Sequence, residues 1–319
     1  MEVMDISALG KTSFNFPGQT AVYSGKVRDV YTVGERLVSV ATDRISAFDV
    51  ILPRPIPYKG QVLNQLAEYF LNSTNDIARN WLEAVPDPNV SVGIKADPLK
   101  VEMVVRGMLV GHAYREYSSG KRELCGQKMV EGLNEYDLFP EPIITPTTKA
   151  SEGHDEDISP ENVIKQGIVD QDTWDQITDY SLKLFARGQK MANERGLVLA
   201  DTKYEFGIHE GKVILIDEVH TPDSSRYFYK DSYETYLRNR SLTKPKHLSK
   251  EFVREWLMEN GFNGGEGQLV PEMTDEVVNA ISERYIELYE AMTGNKFAKD
   301  DYSNIEQRIL DNVINYLKG

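Results

Sequence analysis

One segment of the chain alternates charged and apolar residues in a pattern that could organise chemistry. In LADTKYEFG, the charged residues Asp201, Lys203 and Glu205 recur at every second position. On a strand, a period of two places these three side chains on one face and the apolar set on the other. Such a face could also be the solvated side of a half-exposed sheet. The next segment favours a functional face, because it is apolar and ends in the carboxylates Asp217 and Glu218.

Carboxylates gathered at the end of a hairpin form a hard oxygen site of the kind that holds Mg²⁺ on nucleotide phosphates. The pairing depends on the loop at 210–211. A two-residue loop places Tyr204 opposite Asp217, and a three-residue loop places Glu205 opposite it. We predict the three-residue loop. Lys203 would then face a phosphate or a carboxylate, with a structural ion pair as the alternative.

Two further segments carry groups suited to phosphorylated ligands. In YSGKVRDVY, Gly25 allows a close backbone approach and Lys26 supplies a positive charge. Neither GxxxxGK[ST] nor GxGxxG is present, so an ATP-using enzyme with this sequence would hold the phosphates under a β-hairpin and on a lysine. In TPDSSR, Asp223, Ser225 and Arg226 suit a phosphorylated sugar, although a plain turn uses similar residues.

Composition excludes several classes of function. The 50 acidic and 36 basic residues give a net charge of −14, which disfavours nucleic acid as a partner. The single cysteine, Cys125, excludes an internal disulfide and a cysteine-cluster metal site. No HExxH or GxSxG motif occurs. No run approaches the roughly 20 apolar residues of a membrane span, and no signal peptide is evident, so we expect a cytoplasmic protein without membrane contact.

The pattern of elements predicts an α+β protein. A hairpin at 22–42 turns at Gly34-Glu35, a helix covers 61–71, and a strand begins near Val101. The turn-rich segment 121–159 is predicted to be an irregular functional loop. The strand at 197–208 returns as a hairpin through the loop at 210–211.

Helix ends carry clear signals. Ser159-Pro160 is predicted to open a helical region whose Trp174 stripe is core, and Arg195-Gly196 to close it. Thr274 is predicted to cap a helix near the end of the chain, and Ser303 with Glu306 to form a capping box on the last one. We therefore predict a mostly β domain at 1–97 and an α+β domain at 98–319. The second contains the hairpin at 197–218 and a helical extension at 245–319.

These residues resemble the SAICAR synthetase (phosphoribosylaminoimidazole-succinocarboxamide synthase) family. LADTKYEFG matches the family signature at every position, and SGKVRDVY, ATDRISAFDVILP, YKGQVLNQL, VEMVVRGMLVG, KASEGHDEDIS and IDEVHTPDSSR follow in the family's order. The resemblance covers nearly the whole chain, and the helical end resembles the longer monofunctional form, so we expect no carboxylase domain.

The resemblance implies a two-lobed fold related to ATP-grasp and kinase-like folds, with antiparallel sheets, flanking helices and ATP between the lobes. It implies that ATP, carboxyaminoimidazole ribonucleotide (CAIR) and L-aspartate become ADP, phosphate and SAICAR through a carboxyl phosphate. Mg²⁺ would assist, and the protein would be a monomer or homodimer.

Carried over position by position, the resemblance assigns roles to individual residues. Lys26 and Glu102 would bind ATP, and Glu205 and Asp217 would bind Mg²⁺. Asp201 and Lys203 would lie at the reacting carboxylate. The remaining substrate-binding set would be Arg106, Lys149, Asp155, Asp223, Ser225 and Arg226.

One departure from the family concerns the residues after Arg106. A small residue, glycine and serine are the family pattern, whereas here Val110 and His112 flank the glycine. An imidazole can donate to a phosphate as a hydroxyl does. We therefore expect His112 to bind the substrate phosphate with added pH dependence.

Two other functions compete with this one. An ATP-dependent kinase or ligase acting on another small carboxylate would share the ATP and metal residues without needing Arg226 and His112. A regulatory nucleotide-binding protein without catalysis would be expected to have lost Asp201, Lys203, Glu205 and Asp217, all of which are present.

Overall fold

The computed structural model describes residues 8–149, 156–240, 243–248 and 250–319. Contacts divide the chain into two compact units. The first comprises Met1–Tyr69, Leu82–Lys95 and Leu248–Gly319, and the second comprises Phe70–Trp81 and Ala96–His247. This division differs from the predicted domains, because the helical end of the chain falls in the first unit. The predicted boundary near residue 97 stays a prediction.

The strands within the described residues are numbered in chain order. They are β1 Gln19–Ser24, β2 Arg28–Val33, β3 Arg36–Ala41, β4 Ser46–Ala47, β5 Val50–Ile51, β6 Leu82–Asp87, β7 Val90–Ile94, β8 Asp97–Met108, β9 Glu123–Leu124, β10 Gln127–Lys128, β11 Leu138–Ile144, β12 Thr147–Thr148, β13 Leu197–His209, β14 Lys212–Ile216 and β15 Ser225–Tyr229. Within the described residues, neighbouring strands pair in the antiparallel direction, as the resemblance implied.

The helices are numbered in the same way. They are α1 Lys59–Thr74, α2 Gly111–Ser118, α3 Pro160–Lys165, α4 Gln171–Glu194, α5 Lys230–Arg238, α6 Glu251–Glu259, α7 Asp275–Thr293 and α8 Ile305–Lys318. The side chains of Ser159 and Thr274 cap α3 and α7 as predicted. The predicted capping box on α8 is wrong: the helix starts one residue later, after Asn304, whose side chain makes no capping hydrogen bond.

The first unit contains a sheet with the order β1-β2-β3-β7-β6. The Gly34-Glu35 turn is confirmed, because Val33 pairs with Arg36. The sequence missed a second hairpin, in which Ser24 pairs with Asp29 and the chain turns at 25–27. YSGKVRDVY is therefore not one strand, because its glycine and lysine form a turn.

The core of the first unit explains why the end of the chain belongs to it. Ile305, Ile309 and Val313 recur every fourth residue along α8 and are all buried. They join a cluster with Val38 and Val40 of β3. An amphipathic helix must bury its apolar stripe, and this one does so in the core that also contains the β3 residues.

The second unit is built on a sheet with the order β11-β8-β13-β14, to which β12 adds on β8 and β15 on β13. The predicted irregular loop at 121–159 is wrong in part, because β9 to β12 lie within it. β11 and β12 both pair with β8. The strands in this segment are only two to seven residues long, and turn residues at short intervals interrupt the alternating pattern that would predict them.

The predicted register of the β13–β14 hairpin is also wrong. His209 pairs with Lys212 and Glu205 with Ile216, so the loop has two residues rather than three. Glu210 and Gly211 have φ of 51° and 71°. Both values are left-handed, as a type I′ turn requires, and that turn matches the twist of an antiparallel pair.

No helix among the described residues is long and apolar enough to cross a membrane.

Candidate active site

The second unit's sheet brings two pairs of charged residues into register. Glu205 on β13 pairs with Glu102 on β8, and Asp201 pairs with Arg106. Because side chains alternate along a strand, Lys203 shares the face of Asp201 and Glu205. Both carboxylates are at most 6% exposed. This burial argues against the alternative of a solvated charged face.

Lys203 lies between two carboxylates. Its Nζ is 2.7 Å from Oε1 of Glu102 and 2.7 Å from Oε1 of Glu205. The other oxygen of Glu205 accepts from Lys149, which follows β12. Four groups thus form an alternating chain of charges, in which each buried carboxylate has a cationic partner.

The pKa values follow from this arrangement. Burial raises the pKa of Glu205, but Lys203 and Lys149 outweigh it and lower that pKa to about 2. Burial lowers the pKa of Lys203, whereas Glu205, Glu102 and Asp217 together raise it well above the ordinary value. Burial lowers the pKa of Lys149, whereas Glu205 and, to a smaller extent, Asp217 raise it. Asp217 therefore acts on the same cluster, although the register prevents it from pairing with Glu205.

A second charged group surrounds Asp201. Its Oδ2 accepts from Arg226 on β15 and from Arg106, whose NH1 lies at 3.1 Å. The Nε of Arg106 donates to Thr145 at 2.8 Å. Two guanidinium groups thus converge on one carboxylate, and such planar donor groups also suit an anionic ligand.

Backbone geometry makes room for Arg226. Gly111 has a φ of 56°, and a Cβ built there would lie 2.6 Å from the guanidinium carbon of Arg226. The glycine between Val110 and His112 is therefore required both by its conformation and by the arginine that lies against it.

The TPDSSR segment combines a turn and a strand. Asp223 lies in the turn that the Ser224 amide closes on the Thr221 carbonyl. Ser225 begins β15, and its hydroxyl is 2.7 Å from that of Thr202. The plain-turn alternative thus describes the first half of the segment. In the second half, Ser225 and Arg226 belong to β15, which pairs with β13.

His112 lies at the start of α2 and contacts a residue that the sequence analysis did not select. Its Nε2 is 2.7 Å from Oδ2 of Asp157. The hydrogen bond from His112 is the largest cause of a lowered pKa at Asp157. Asp155, assigned with Lys149 to substrate binding, lies outside the described residues.

Lys26 belongs to the first unit, in the turn between β1 and β2. Its ammonium group pairs with Asp49, and both side chains are more than half exposed. Exposed ion pairs of this kind contribute roughly 0–1 kcal/mol, so the ammonium can exchange partners readily.

The described residues contain no group of three or more His, Cys, Asp or Glu side chains placed to hold a metal ion. The donors that are present remain suited to magnesium. Mg²⁺ binds proteins through one or two carboxylates and completes its shell with water and phosphate oxygens. Glu205 and Asp217 meet that requirement in type and number.

Sequence reasoning missed Thr145 and Asp157, which hold Arg106 and His112. Both lie in the segment predicted to be irregular, so no strand period marked their orientation. Two signals were available: the polar run TPTTKAS at 145–151, which directly follows a hydrophobic pair and begins with Thr145, and the motif KASEGHDEDIS, which contains Asp157.

Comparisons with known proteins give a consistent result. Residues 21–269 match the sequence model of SAICAR synthetase. The chain is 60% identical over 314 residues to the phosphoribosylaminoimidazole-succinocarboxamide synthase of Bacteroides thetaiotaomicron, covering 98% of this chain and 99% of that protein. The enzyme of the same name from Cytophaga hutchinsonii is 59% identical over 312 residues, covering 98% and 100%.

A solved structure agrees with the sequence matches. The SAICAR synthase of Saccharomyces cerevisiae in complex with SAICAR is 34% identical, with a TM-score of 0.76 over 91% of this chain and 100% of that one.

Proposed function

This chain belongs to the SAICAR synthetase family, and we propose that it joins the carboxylate of CAIR to the amine of L-aspartate at the expense of ATP, within de novo purine biosynthesis. The products are SAICAR, ADP and phosphate. One structural observation supports the proposal most directly. A single strand, β13, places the Arg106–Asp201–Arg226 group beside the Lys203 cluster, so an anion-binding group adjoins a group suited to activating a carboxylate.

The proposed chemistry has two steps. A carboxylate is a poor electrophile, so an oxygen of the CAIR carboxylate first takes the γ-phosphoryl group of ATP, and ADP leaves. The aspartate amine then attacks the carboxyl carbon of this acyl phosphate. A C–N bond forms, the C–O bond to phosphate breaks, and the nitrogen loses a proton.

We assign Lys203 and Asp201 to the reacting carboxylate. An ammonium group fixed between two buried carboxylates needs no reorganisation when charge develops on the substrate oxygens. Asp201 holds Arg106 and Arg226 toward the ribonucleotide phosphate, with His112, Ser225 and Asp223 completing that set. Lys149 is assigned to the aspartate substrate.

We assign Lys26 and Glu102 to ATP, and Glu205 with Asp217 to Mg²⁺. Bound magnesium would neutralise phosphate charge during the transfer. Glu205 has a lowered pKa in this structure, so its carboxylate is ionised at neutral pH, as a metal ligand must be.

We also propose that the protein works in the cytoplasm as a monomer or homodimer. A size-exclusion measurement with light scattering would assign the oligomeric state.

The decisive experiment measures ADP release and SAICAR absorbance with ATP, Mg²⁺ and CAIR. L-aspartate is compared with L-glutamate and with no amino acid. Equal amounts of ADP and SAICAR with aspartate alone are expected. ADP without SAICAR would instead favour a kinase or a ligase with another acceptor, and no turnover would favour a regulatory protein.

A variant separates the two enzyme functions. Arg226→Ala is expected to lose CAIR turnover while ATP binding stays intact, because Arg226 contacts Asp201 and lies against Gly111. Unchanged CAIR turnover would contradict the assignment of this arginine to the ribonucleotide.

A further inference from the structure

The turn between β1 and β2 is held by one arginine that none of the assignments above uses. Arg44 donates from NH2 to the Gly25 carbonyl at 2.9 Å and from Nε to the Lys26 carbonyl at 3.2 Å. The next carbonyl, that of Val27, accepts from the amide of Thr42 at 3.0 Å and from its hydroxyl at 2.8 Å. The carbonyls of three consecutive residues are therefore directed toward the segment at 42–44.

The guanidinium is itself fixed in place. Arg44 forms two parallel hydrogen bonds to Asp29, from NH2 at 2.9 Å and from NH1 at 3.1 Å. Its NH1 also donates to the Gly10 carbonyl at 2.7 Å. The Asp29 side chain is fully buried, and that of Arg44 is 12% exposed. A planar fork bound on both sides has little freedom to rotate.

These bonds determine where the amides of the turn point. In a trans peptide unit, the carbonyl and the following N–H point in opposite directions. Because Arg44 holds the Gly25 and Lys26 carbonyls, the N–H groups of Lys26 and Val27 are directed away from it. Among the residues that the structure describes, these two amides donate to no protein acceptor.

We propose that Arg44 is a positioning residue that orients the Lys26 and Val27 amides to bind the phosphate oxygens of the nucleotide. Successive N–H groups directed to one side form an anion-binding concavity, and the Lys26 ammonium adds a positive charge. Gly25 fits this geometry, because a Cβ there would lie 3.2 Å from the Arg28 carbonyl. The inference deepens the proposed function and rests only on its use of ATP.

The test compares Arg44→Lys with a matched control in the same unit, Arg308→Lys. Arg308 also bonds a buried aspartate through two nitrogens, at 3.0 and 3.2 Å from Asp87, and donates to the Asp301 carbonyl. Lysine keeps the charge at either position but cannot reproduce the fork. Both variants should therefore lose thermal stability, and only Arg44→Lys should lose affinity for phosphates.

Titration calorimetry with ADP and with adenosine provides the readout. Arg44→Lys is expected to weaken ADP binding by about tenfold or more, the effect of roughly one lost hydrogen bond to a charged group, with adenosine affinity within about twofold of the wild type. Arg308→Lys is expected to bind both ligands normally. Wild-type affinity for ADP in Arg44→Lys, or an equal loss for ADP and adenosine, would overturn the proposal.

Two further results keep the inference separate from the proposed function. If Arg44→Lys does not fold, Asp29→Asn, which loosens the fork and leaves the turn untouched, should show a smaller loss of ADP affinity in the same direction. Wild-type protein that binds ADP but makes no SAICAR would refute the ligase and leave the inference to be decided by Arg44→Lys. Wild-type protein that binds no nucleotide would refute both.

Discussion

At the scale of single residues, Lys203 is the group whose loss should matter most. Lys203→Met removes the cation between Glu102 and Glu205. We expect kcat to fall by about two orders of magnitude, since one preorganised charge contributes about 3 kcal/mol to catalysis. Steady-state kinetics on the folded fraction measures this. The control is Lys183→Met, which removes an exposed helix ion pair. A near-normal kcat for Lys203→Met would make Lys203 a structural partner only.

His112, at the start of α2, is assigned to the substrate phosphate. We expect His112→Ala to raise the KM for CAIR at about pH 6 and at about pH 8, because the imidazole ring can donate a hydrogen bond to the substrate phosphate. Asp157 remains ionised across this range, since its pKa is lowered. His209→Ala, at the end of β13, is the control. An unchanged KM for CAIR at both pH values would show that His112 does not contact the substrate.

His220 should make stability depend on pH. It is fully buried, its Nε2 is 2.6 Å from the Tyr204 hydroxyl, and burial lowers its pKa to about 3. Below the ordinary pKa of histidine, the unfolded chain therefore binds a proton at residue 220 that the folded chain does not bind. Stability is lost as pH falls from about 6.5 toward 3.

The size of this effect can be measured by urea unfolding. Between about pH 6.5 and about pH 5, one such proton costs roughly 2 kcal/mol. His220→Gln is expected to be less stable at neutral pH but to lose less of its stability over that interval than the wild type. Parallel pH profiles for the two proteins would contradict the assignment.

At the scale of elements, the contact between α4 and the residues after β14 depends on a missing side chain. A Cβ at Gly188 would lie 2.5 Å from the His220 ring. Gly188→Ala should therefore cost about 1–3 kcal/mol by overpacking, which outweighs the gain of roughly 1 kcal/mol in helix propensity. Denaturant unfolding measures the difference.

The matched control for this contact is Gly10→Ala, because a Cβ at Gly10 has no atom within 4 Å. Its stability should stay within about 0.5 kcal/mol of the wild type. A stabilised Gly188→Ala variant would show that the His220 imidazole moves aside and that its position does not depend on the contact with residue 188.

At the scale of the whole chain, the last helix is part of the first unit's core. Ile309 is fully buried in a cluster with strand residues of the first sheet. Ile309→Ala should lower the free energy of unfolding by about 2–5 kcal/mol, the usual cost of a core cavity. Met258→Ala, at an exposed position of α6, is the control and should change little. Equal effects of the two changes would mean that α8 is not packed as described.

Much of the site could be predicted from the sequence because its central part is local. Asp201, Lys203 and Glu205 lie on one strand, and a period of two is enough to place them on one face. Glycine and proline marked most turns and helix ends, and the single cysteine ruled out an internal disulfide and a cysteine-cluster metal site. The family motifs, read in order along the chain, supplied the reaction.

Tertiary structure decided the partners and the register. Glu102 and Arg106 reach the charged face only through the pairing of β8 with β13, and such pairing depends on the whole sheet rather than on either strand. The loop at 210–211 has two residues, both with left-handed backbone angles. With that loop length, Glu205 pairs with Ile216 and not with Asp217. The role of Arg44 could not be predicted from the sequence either. No sequence pattern reveals that its guanidinium donates to carbonyls of a turn about 18 residues away, because hydrogen-bond geometry exists only once the chain is folded.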